Sequence, residues 1–73
     1  MALLTILEGS HTQLPANKPT HCKVLVKPVF GSFMYVHHEP NKGLYTPTIQ
    51  EIIQEKEDSV VFRTKYNVFL LQY

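Results

Sequence analysis

The 73-residue sequence has little of what stabilises many small proteins: one cysteine, three glycines and no tryptophan. A single cysteine excludes a disulfide within the chain, and a lone thiol is typical of a reducing compartment, so we predict a cytoplasmic location. The apolar stretch over residues 1–7 lacks a basic flank and is much shorter than the roughly 20 residues of a membrane helix. We therefore expect neither a signal peptide nor a membrane span.

Recognisable chemical motifs are also lacking. The sequence contains no phosphate-binding loop and no dinucleotide fingerprint. Zinc sites usually show paired ligands at C-x-x-C or H-x-x-x-H spacing, whereas neighbouring residues of a strand point to opposite faces. We therefore predict no metal site and no cofactor. The soft ligands of the chain are His11, His21, Cys22, His37 and His38.

Two catalytic arrangements are conceivable, and the residues support neither. Cys22 and His37 could lie on neighbouring strands, but no Gly-rich turn or helix start beside Cys22 supplies an oxyanion site. The carboxylates of residues 51–58 crowd a predicted turn, where a solvated run of charge is the usual state. We predict that the protein is not an enzyme and has no catalytic residues.

Length and charge indicate a single small domain, residues 1–73. A chain this short buries only about 60–65% of its unfolded surface, so its core is thin, and a homodimer would relieve that shortage. The formal net charge is +1. Residues 9–50 carry four lysines against one glutamate, and residues 51–58 carry four acids against one lysine. The molecule is therefore mildly basic with one acidic segment.

The first half of the chain predicts strands with turns between them. Residues 2–8 fit a strand with Leu4 and Ile6 on one face, and residues 9–21 fit a loop that Leu14 attaches to the core. Residues 22–38 alternate in polarity on both sides of Gly31-Ser32, which predicts a hairpin with a two-residue type II′ turn. A second turn is expected at 39–43, with Gly43 available for positive φ.

Residues 44–58 are ambiguous. Thr46 as a cap, Pro47 at the first helical position and isoleucines at 49, 52 and 53 predict a short helix or helical turn near 47–54. The β-branched pairs in the same segment predict a strand, which we slightly prefer.

The segment 59–73, SVVFRTKYNVFLLQY, indicates a hairpin. Two apolar runs flank Lys65-Tyr66-Asn67, and Asn67 can adopt the left-handed conformation. The second run is apolar on both faces apart from Gln72. Such a strand is covered on both sides, or its outer face, with Leu70, meets another chain.

The motifs YTPTIQEI and DSVVFRTKYNVFLL resemble the C-terminal half of small SH3-like barrel proteins of phages and prophages. The resemblance covers about the last 30 residues and is a packing pattern. It implies an all-β, SH3-like barrel, which we expect to have five or six antiparallel strands. The matching positions are Thr46, Ile49, Ile52, Val60, Phe62, Thr64, Phe69 and Leu71.

Two binding surfaces follow from the pattern. Phe33, Tyr35 and His37 share one face of a strand, which suits stacking of single-stranded nucleic acid if lysines surround it, unless the two rings are core. Leu70, an edge strand and the acidic segment suit a protein partner. We predict a non-enzymatic binding module acting through protein–protein interaction or self-association, of phage-accessory type; a small nucleic-acid-binding barrel is the alternative. The binding-surface candidates are Phe33, Tyr35, His37, Arg63, Lys65 and Leu70.

Overall fold

The computed structural model describes residues 2–39 and 42–73, and every regular element in them is a β-strand. The predicted all-β class is confirmed, with seven strands where we expected five or six. The strands are β1 (Ala2–Glu8), β2 (Thr20–Val26), β3 (Tyr35–Glu39), β4 (Lys42–Tyr45), β5 (Glu51–Glu55), β6 (Ser59–Arg63) and β7 (Val68–Gln72).

The strands form one antiparallel sheet in the order β4-β3-β2-β1-β7-β6-β5. The first and last strands of that order, β4 and β5, are consecutive in the chain, so residues 46–50 lead from one edge of the sheet to the other. Register shifts interrupt four of the six strand pairings, and such bulges increase the local twist and bend of a strand. The sheet can therefore curl around a single core.

The core gathers side chains from nearly the whole sheet. Leu44 on edge strand β4 belongs to the same buried cluster as Phe62 and Phe69 near the opposite edge. On β1, Leu4 and Ile6 are buried as predicted. The predicted role of Leu14 is confirmed, because its side chain is buried in this cluster although it lies in the loop between β1 and β2.

The preference for a strand over a helix near 47–54 is confirmed. Ile49 is fully buried, whereas Ile53 lies at a bulge of β5 and is 49% exposed, so the isoleucines do not share one face as a helix would require. Thr46 does not cap a helix. Its hydroxyl accepts a hydrogen bond from the Met34 amide at 2.8 Å, and its own amide donates to the Met34 carbonyl.

The connection between β2 and β3 differs from the predicted two-residue turn. It spans residues 27–34, and the turn inside it places Gly31 third, with the Ser32 amide donating to the Val29 carbonyl. Gly31 has φ of +82°, the value that the third position of a type II turn requires. Its amide donates to Ile49, and the Ile49 amide donates to Ser32, so contacts with the 46–50 linker fix this loop.

The terminal hairpin is confirmed. Phe62 pairs with Phe69 and Val60 with Leu71, and all four side chains are buried. The predicted left-handed Asn67 is wrong, because Asn17 is the non-glycine residue with positive φ in the described chain. Asn67 shapes the turn differently: its amide donates to the Thr64 hydroxyl, and its side-chain amide donates to the Ser10 carbonyl.

The turn expected at 39–43 is only partly described, since Pro40 and Asn41 lie outside the described residues. Gly43, however, is a strand residue of β4 without positive φ. Gly43 therefore does not serve as the expected turn residue with positive φ. It contributes instead to the surface described next.

Candidate binding surface

The β3 strand and the residues before it present their aromatic side chains outward. Met34 and Val36 are fully buried, whereas Phe33 is 41% exposed and Tyr35 and His37 are half-buried. The alternative in which Phe33 and Tyr35 form the core is therefore wrong. The core takes the methionine and valine of this alternating segment, and the rings remain at the surface.

A fourth ring, Tyr45 on β4, joins them. Tyr45 is the register partner of Tyr35, and their rings stack with centroids 4.1 Å apart at an interplanar angle of 26°. The Phe33 ring is tilted by 57° against Tyr45 with centroids 5.4 Å apart, and Tyr35 makes an edge contact with the His37 ring at 5.1 Å. We call Phe33, Tyr35, His37 and Tyr45 the aromatic patch.

Two contacts hold Tyr35 in place within the patch. Its hydroxyl lies 2.8 Å from Nε2 of His37, within hydrogen-bond distance. Gly43, the register partner of His37, leaves the space that the ring occupies: a Cβ there would stand 2.7 Å from Cε1 of Tyr35. Gly43 therefore allows the ring of Tyr35 to pack directly over the β4 backbone, because position 43 has no side chain in the way.

Further apolar side chains are exposed in the segment leading to the patch. Val26 pairs with Tyr35 across the β2–β3 ladder and is itself 38% exposed. In the following loop, Val29 is 58% and Phe30 68% exposed. Because hydrogen bonds to Ser32 and Gly31 tie this loop to the 46–50 linker, Val29 and Phe30 are presented from a defined turn.

The basic residues divide into two groups. Lys23 is the register partner of His37 and borders the aromatic patch. Arg63 instead forms an ion pair with Glu51 on the neighbouring strand, and Lys65 lies 5.5 Å from the centroid of Tyr66. Of the residues expected to act together, Phe33, Tyr35 and His37 therefore form one surface, while Arg63 and Lys65 have other contacts.

Leu70 occupies a separate position on β7, in the middle of the sheet. It pairs with Thr5 on one side and Val61 on the other, and it is half-buried. Val68, which also points away from the Phe69 side of the strand, is 8% exposed. The acidic segment lies on edge strand β5 and the turn after it, with its charged side chains exposed.

The sulfur and imidazole groups lie apart. Cys22 is buried in the core cluster, and burial raises the pKa of its thiol. His37 contacts Tyr35 in the patch, and His38 Nε2 lies 3.0 Å from Oε1 of Gln13 in the 9–19 loop. Among the described residues, no three His, Cys, Asp or Glu side chains form a group that could hold a metal ion.

The sequence reasoning missed Tyr45. Its neighbours Thr46 and Pro47 suggested a helix start, which hid the short strand that ends at Tyr45. The available signal was the alternation of Leu44, a purely apolar residue suited to the core, with Tyr45, an aromatic residue whose hydroxyl group suits an outward position.

Comparisons with known proteins add no relative. The chain matches no protein-family model, and no curated protein or solved structure shows significant similarity to it. In the part of the chain that the structure describes, no helix is long and apolar enough to cross a membrane.

Proposed function

We propose that this protein is a non-enzymatic binding module that engages a partner protein through the aromatic patch and the adjoining loop at Val29 and Phe30. One observation carries the proposal: the stacked rings of Tyr35 and Tyr45, with the Phe33 ring tilted against Tyr45, lie at the surface of a domain whose core is small. Tyrosine and phenylalanine are enriched in the centres of protein interfaces because they bury large areas at a low entropic cost.

The surroundings of the patch also suit a protein interface. Five of the nine residues from 25 to 33 are exposed and apolar, and the charged side chains nearest to them in the sequence are Lys23 and Lys27. An apolar centre with a polar rim is the usual arrangement of such sites. In this proposal Arg63, Lys65 and Leu70 lie outside the primary contact.

The finer fold and the setting belong to the same proposal. We propose that the curled sheet is an SH3-like barrel related to those of phages and prophages, acting in the cytoplasm as an accessory protein. Support comes from the shared core of both sheet edges and from the burial of seven of the eight positions that carry the resemblance, with Ile52 partly buried.

Single-stranded nucleic acid is the second candidate ligand. The stacked Tyr35 and Tyr45 with Lys23 beside them favour it, since bases stack on aromatic platforms flanked by basic residues. The neutralisation of Arg63 by Glu51 and the net charge of +1 favour a protein.

Affinity capture with surface variants tests the proposal. Immobilised wild type and the Phe30→Ser/Tyr45→Thr variant are exposed to lysate of the source organism, and bound proteins are quantified by mass spectrometry. Tyr66→Ser is the matched control, because Tyr66 is 67% exposed on a different turn while Tyr45 is 63% exposed. Threonine at position 45 keeps a β-branched residue in the strand.

We expect a defined set of proteins that binds wild type and Tyr66→Ser and loses at least tenfold on the double variant. Equal capture by all three would contradict the proposal. Retention of nuclease-sensitive nucleic acid, weakening steeply with salt, would favour the second candidate. A light-scattering mass of twice 8.4 kDa that the double variant reduces to 8.4 kDa would identify a second copy as the partner.

A further inference from the structure

An apolar row crosses the outer side of the sheet from β2 to β4. Val26 is the register partner of Tyr35, and Tyr35 is the register partner of Tyr45. Val26 is 38% and Tyr45 63% exposed, and Tyr35 is half-buried. Phe33 extends the row, because its ring is tilted against that of Tyr45. These side chains therefore form a contiguous, largely apolar surface on the outside of the sheet.

The segment that leads to this row enlarges the surface. Leu25 is 44% exposed beside Val26, and Val29 and Phe30 are exposed in the loop that hydrogen bonds tie to the 46–50 linker. We call the aromatic patch together with Leu25, Val26, Val29 and Phe30 the apolar face. None of its residues is Asp, Glu, Lys or Arg. The apolar face therefore carries no permanently charged side chain of its own.

The area of the apolar face is large for so small a protein. Phe30, Phe33 and Tyr45 are exposed by 68%, 41% and 63%. At about 200 Å² for each aromatic side chain, these three rings keep about 340 Å² accessible to solvent. The aliphatic side chains and Tyr35 bring the face to roughly 500 Å², which is close to a tenth of the accessible surface of the chain, 4758 Å². The largest apolar patch of a typical monomer is about 300–600 Å² and is often functional.

Two such faces in contact have the area that a dimer needs. Together they would remove about 1,000 Å² from water, the size at which specific interfaces begin. A twofold contact joins the same surface of both copies and closes the assembly at two. The apolar face is suited to this contact, because it meets no like charge in the face of its own copy. It also offers no group of opposite sign to a strongly charged foreign surface.

We propose that the partner protein is a second copy of this chain, and that the two apolar faces pack on each other about a twofold axis. The inference rests on the proposed protein-binding function and identifies the partner. A homodimer supplies buried apolar area that a chain of 73 residues obtains only to a limited extent by itself. Because the interface is at the small end of the stable range, we expect a dissociation constant of the order of 10 µM.

Sedimentation equilibrium on nuclease-treated protein, from about 2 to about 500 µM chain, measures the association. The test variant is Phe30→Ser/Tyr45→Thr. The matched control is Ile53→Thr/Tyr66→Ser, which replaces side chains exposed by 49% and 67% outside the apolar face. All four side chains are exposed, and threonine keeps a β-branched residue in each strand. Both variants should therefore keep the fold, and thermal melts at the lowest concentration verify it.

We expect the mean mass of wild type and control to rise from 8.4 kDa towards twice that value over the series. The dimer dissociation constant of the test variant should be at least a hundredfold higher. Each residue occurs twice in a twofold interface, so a mixed dimer of the variant with a fluorescent wild-type tracer should lose only the square root of that factor. NMR on a mixture of differently labelled copies should show contacts between the Tyr45 ring and the apolar face of the other copy.

Two results overturn the inference. The first is a wild-type mass that stays at 8.4 kDa up to the highest concentration; the second is a dimer that the test variant forms as tightly as the control does. If wild type is monomeric and the lysate capture yields foreign proteins that Phe30→Ser/Tyr45→Thr loses, the proposed function stands and this inference fails. If the variant alters neither the mass nor the capture, both fail.

Discussion

Two aromatic pairs in this molecule have the same stacking angle but opposite exposure to solvent. Phe62 and Phe69 are register partners on β6 and β7, and their rings stack at an interplanar angle of 26° with centroids 5.4 Å apart. Tyr35 and Tyr45 are register partners on β3 and β4, also stacked at 26°, at 4.1 Å. The first pair is almost completely buried, whereas Tyr45 is 63% exposed.

The difference shows that cross-strand stacking alone does not determine whether an aromatic pair belongs to the core or to the surface. Stacking contributes about 0.5–1.5 kcal/mol beyond area burial in either setting. Removal of the rings from water stabilises the folded state further, fully for the phenylalanine pair and only in part for the half-buried Tyr35 and the exposed Tyr45. The tyrosine pair leaves much of its surface accessible to solvent, and this exposure is the basis of the proposed binding function.

The sharpest test compares Phe69→Ala with Tyr45→Ala in urea denaturation. Phe69→Ala should reduce the free energy of unfolding by about 3–5 kcal/mol, because it removes buried area and leaves a cavity. Tyr45→Ala should cost about 1 kcal/mol or less. A domain of 73 residues has a free energy of unfolding of about 4–11 kcal/mol. Phe69→Ala should therefore be close to unfolding even without urea.

If Phe69→Ala proves unfolded, Phe69→Leu gives the same comparison at a smaller scale. Equal losses of unfolding free energy for the Phe69 and Tyr45 variants would contradict the distinction between a pair that stabilises the core and a pair that is exposed at the surface. A loss at Tyr45 that appears only when the protein self-associates would instead place that ring in a homodimer interface.

A second test addresses how the exposed pair is held. In Gly43→Ala the new Cβ would overlap the Tyr35 ring, so the ring must leave its place against Tyr45 and His37. Alanine replaces glycine in a strand, which by itself would stabilise by about 0.5–1 kcal/mol. The expected result is therefore a coupling: Gly43→Ala should be about 1 kcal/mol less favourable in wild type than in a Tyr35→Ser background.

The four proteins of that cycle are compared by urea denaturation at one pH. Val36→Ala, a neighbour of Tyr35 on the opposite face, serves as the control background, in which the coupling to Gly43 should vanish. Additive effects of Gly43→Ala and Tyr35→Ser would mean that Tyr35 has an alternative position of equal free energy, and the patch would not be preformed.

The same two regions differ in how far the sequence predicts them. The β6–β7 hairpin follows from the residues because both its strands are dense in apolar side chains and the polar break between them is short. In the segment around Phe33 the alternation is equally clear, but Met34 and Val36 on one face and Phe33 and Tyr35 on the other are all apolar. Periodicity separates the faces without saying which is inward.

The rest depends on contacts distant in sequence. The eight-residue connection between β2 and β3 is fixed by Ile49, which no local pattern around Gly31 reveals. The sequence therefore indicates the class of fold and three of the four residues of the aromatic patch, while Tyr45 requires the three-dimensional arrangement.

The smallest expected effect is a dependence of stability on pH. It compares Cys22, which faces the core from β2, with His37, which lies on the exposed side of β3. Burial raises the pKa of the Cys22 thiol above its ordinary value of 9.0. The folded state therefore holds this proton more tightly than the unfolded state. The resulting stability is fully present below the unfolded pKa and is lost as pH rises through the higher folded pKa. Burial, aided by the Glu55 carboxylate, raises the pKa of Tyr73 and gives an alkaline loss of the same sign at higher pH.

Cys22→Ala isolates the contribution of the thiol. Wild type should lose stability more steeply than Cys22→Ala as the pH rises above the ordinary thiol pKa of 9.0, whereas well below that pH the two stability profiles should run parallel. Urea midpoints at half-unit pH intervals measure this, with His37→Ala as the control because that ring lies on the exposed patch. Parallel profiles throughout would mean that the thiol ionises equally in both states, and that water reaches Cys22 more readily than its burial in the structure indicates.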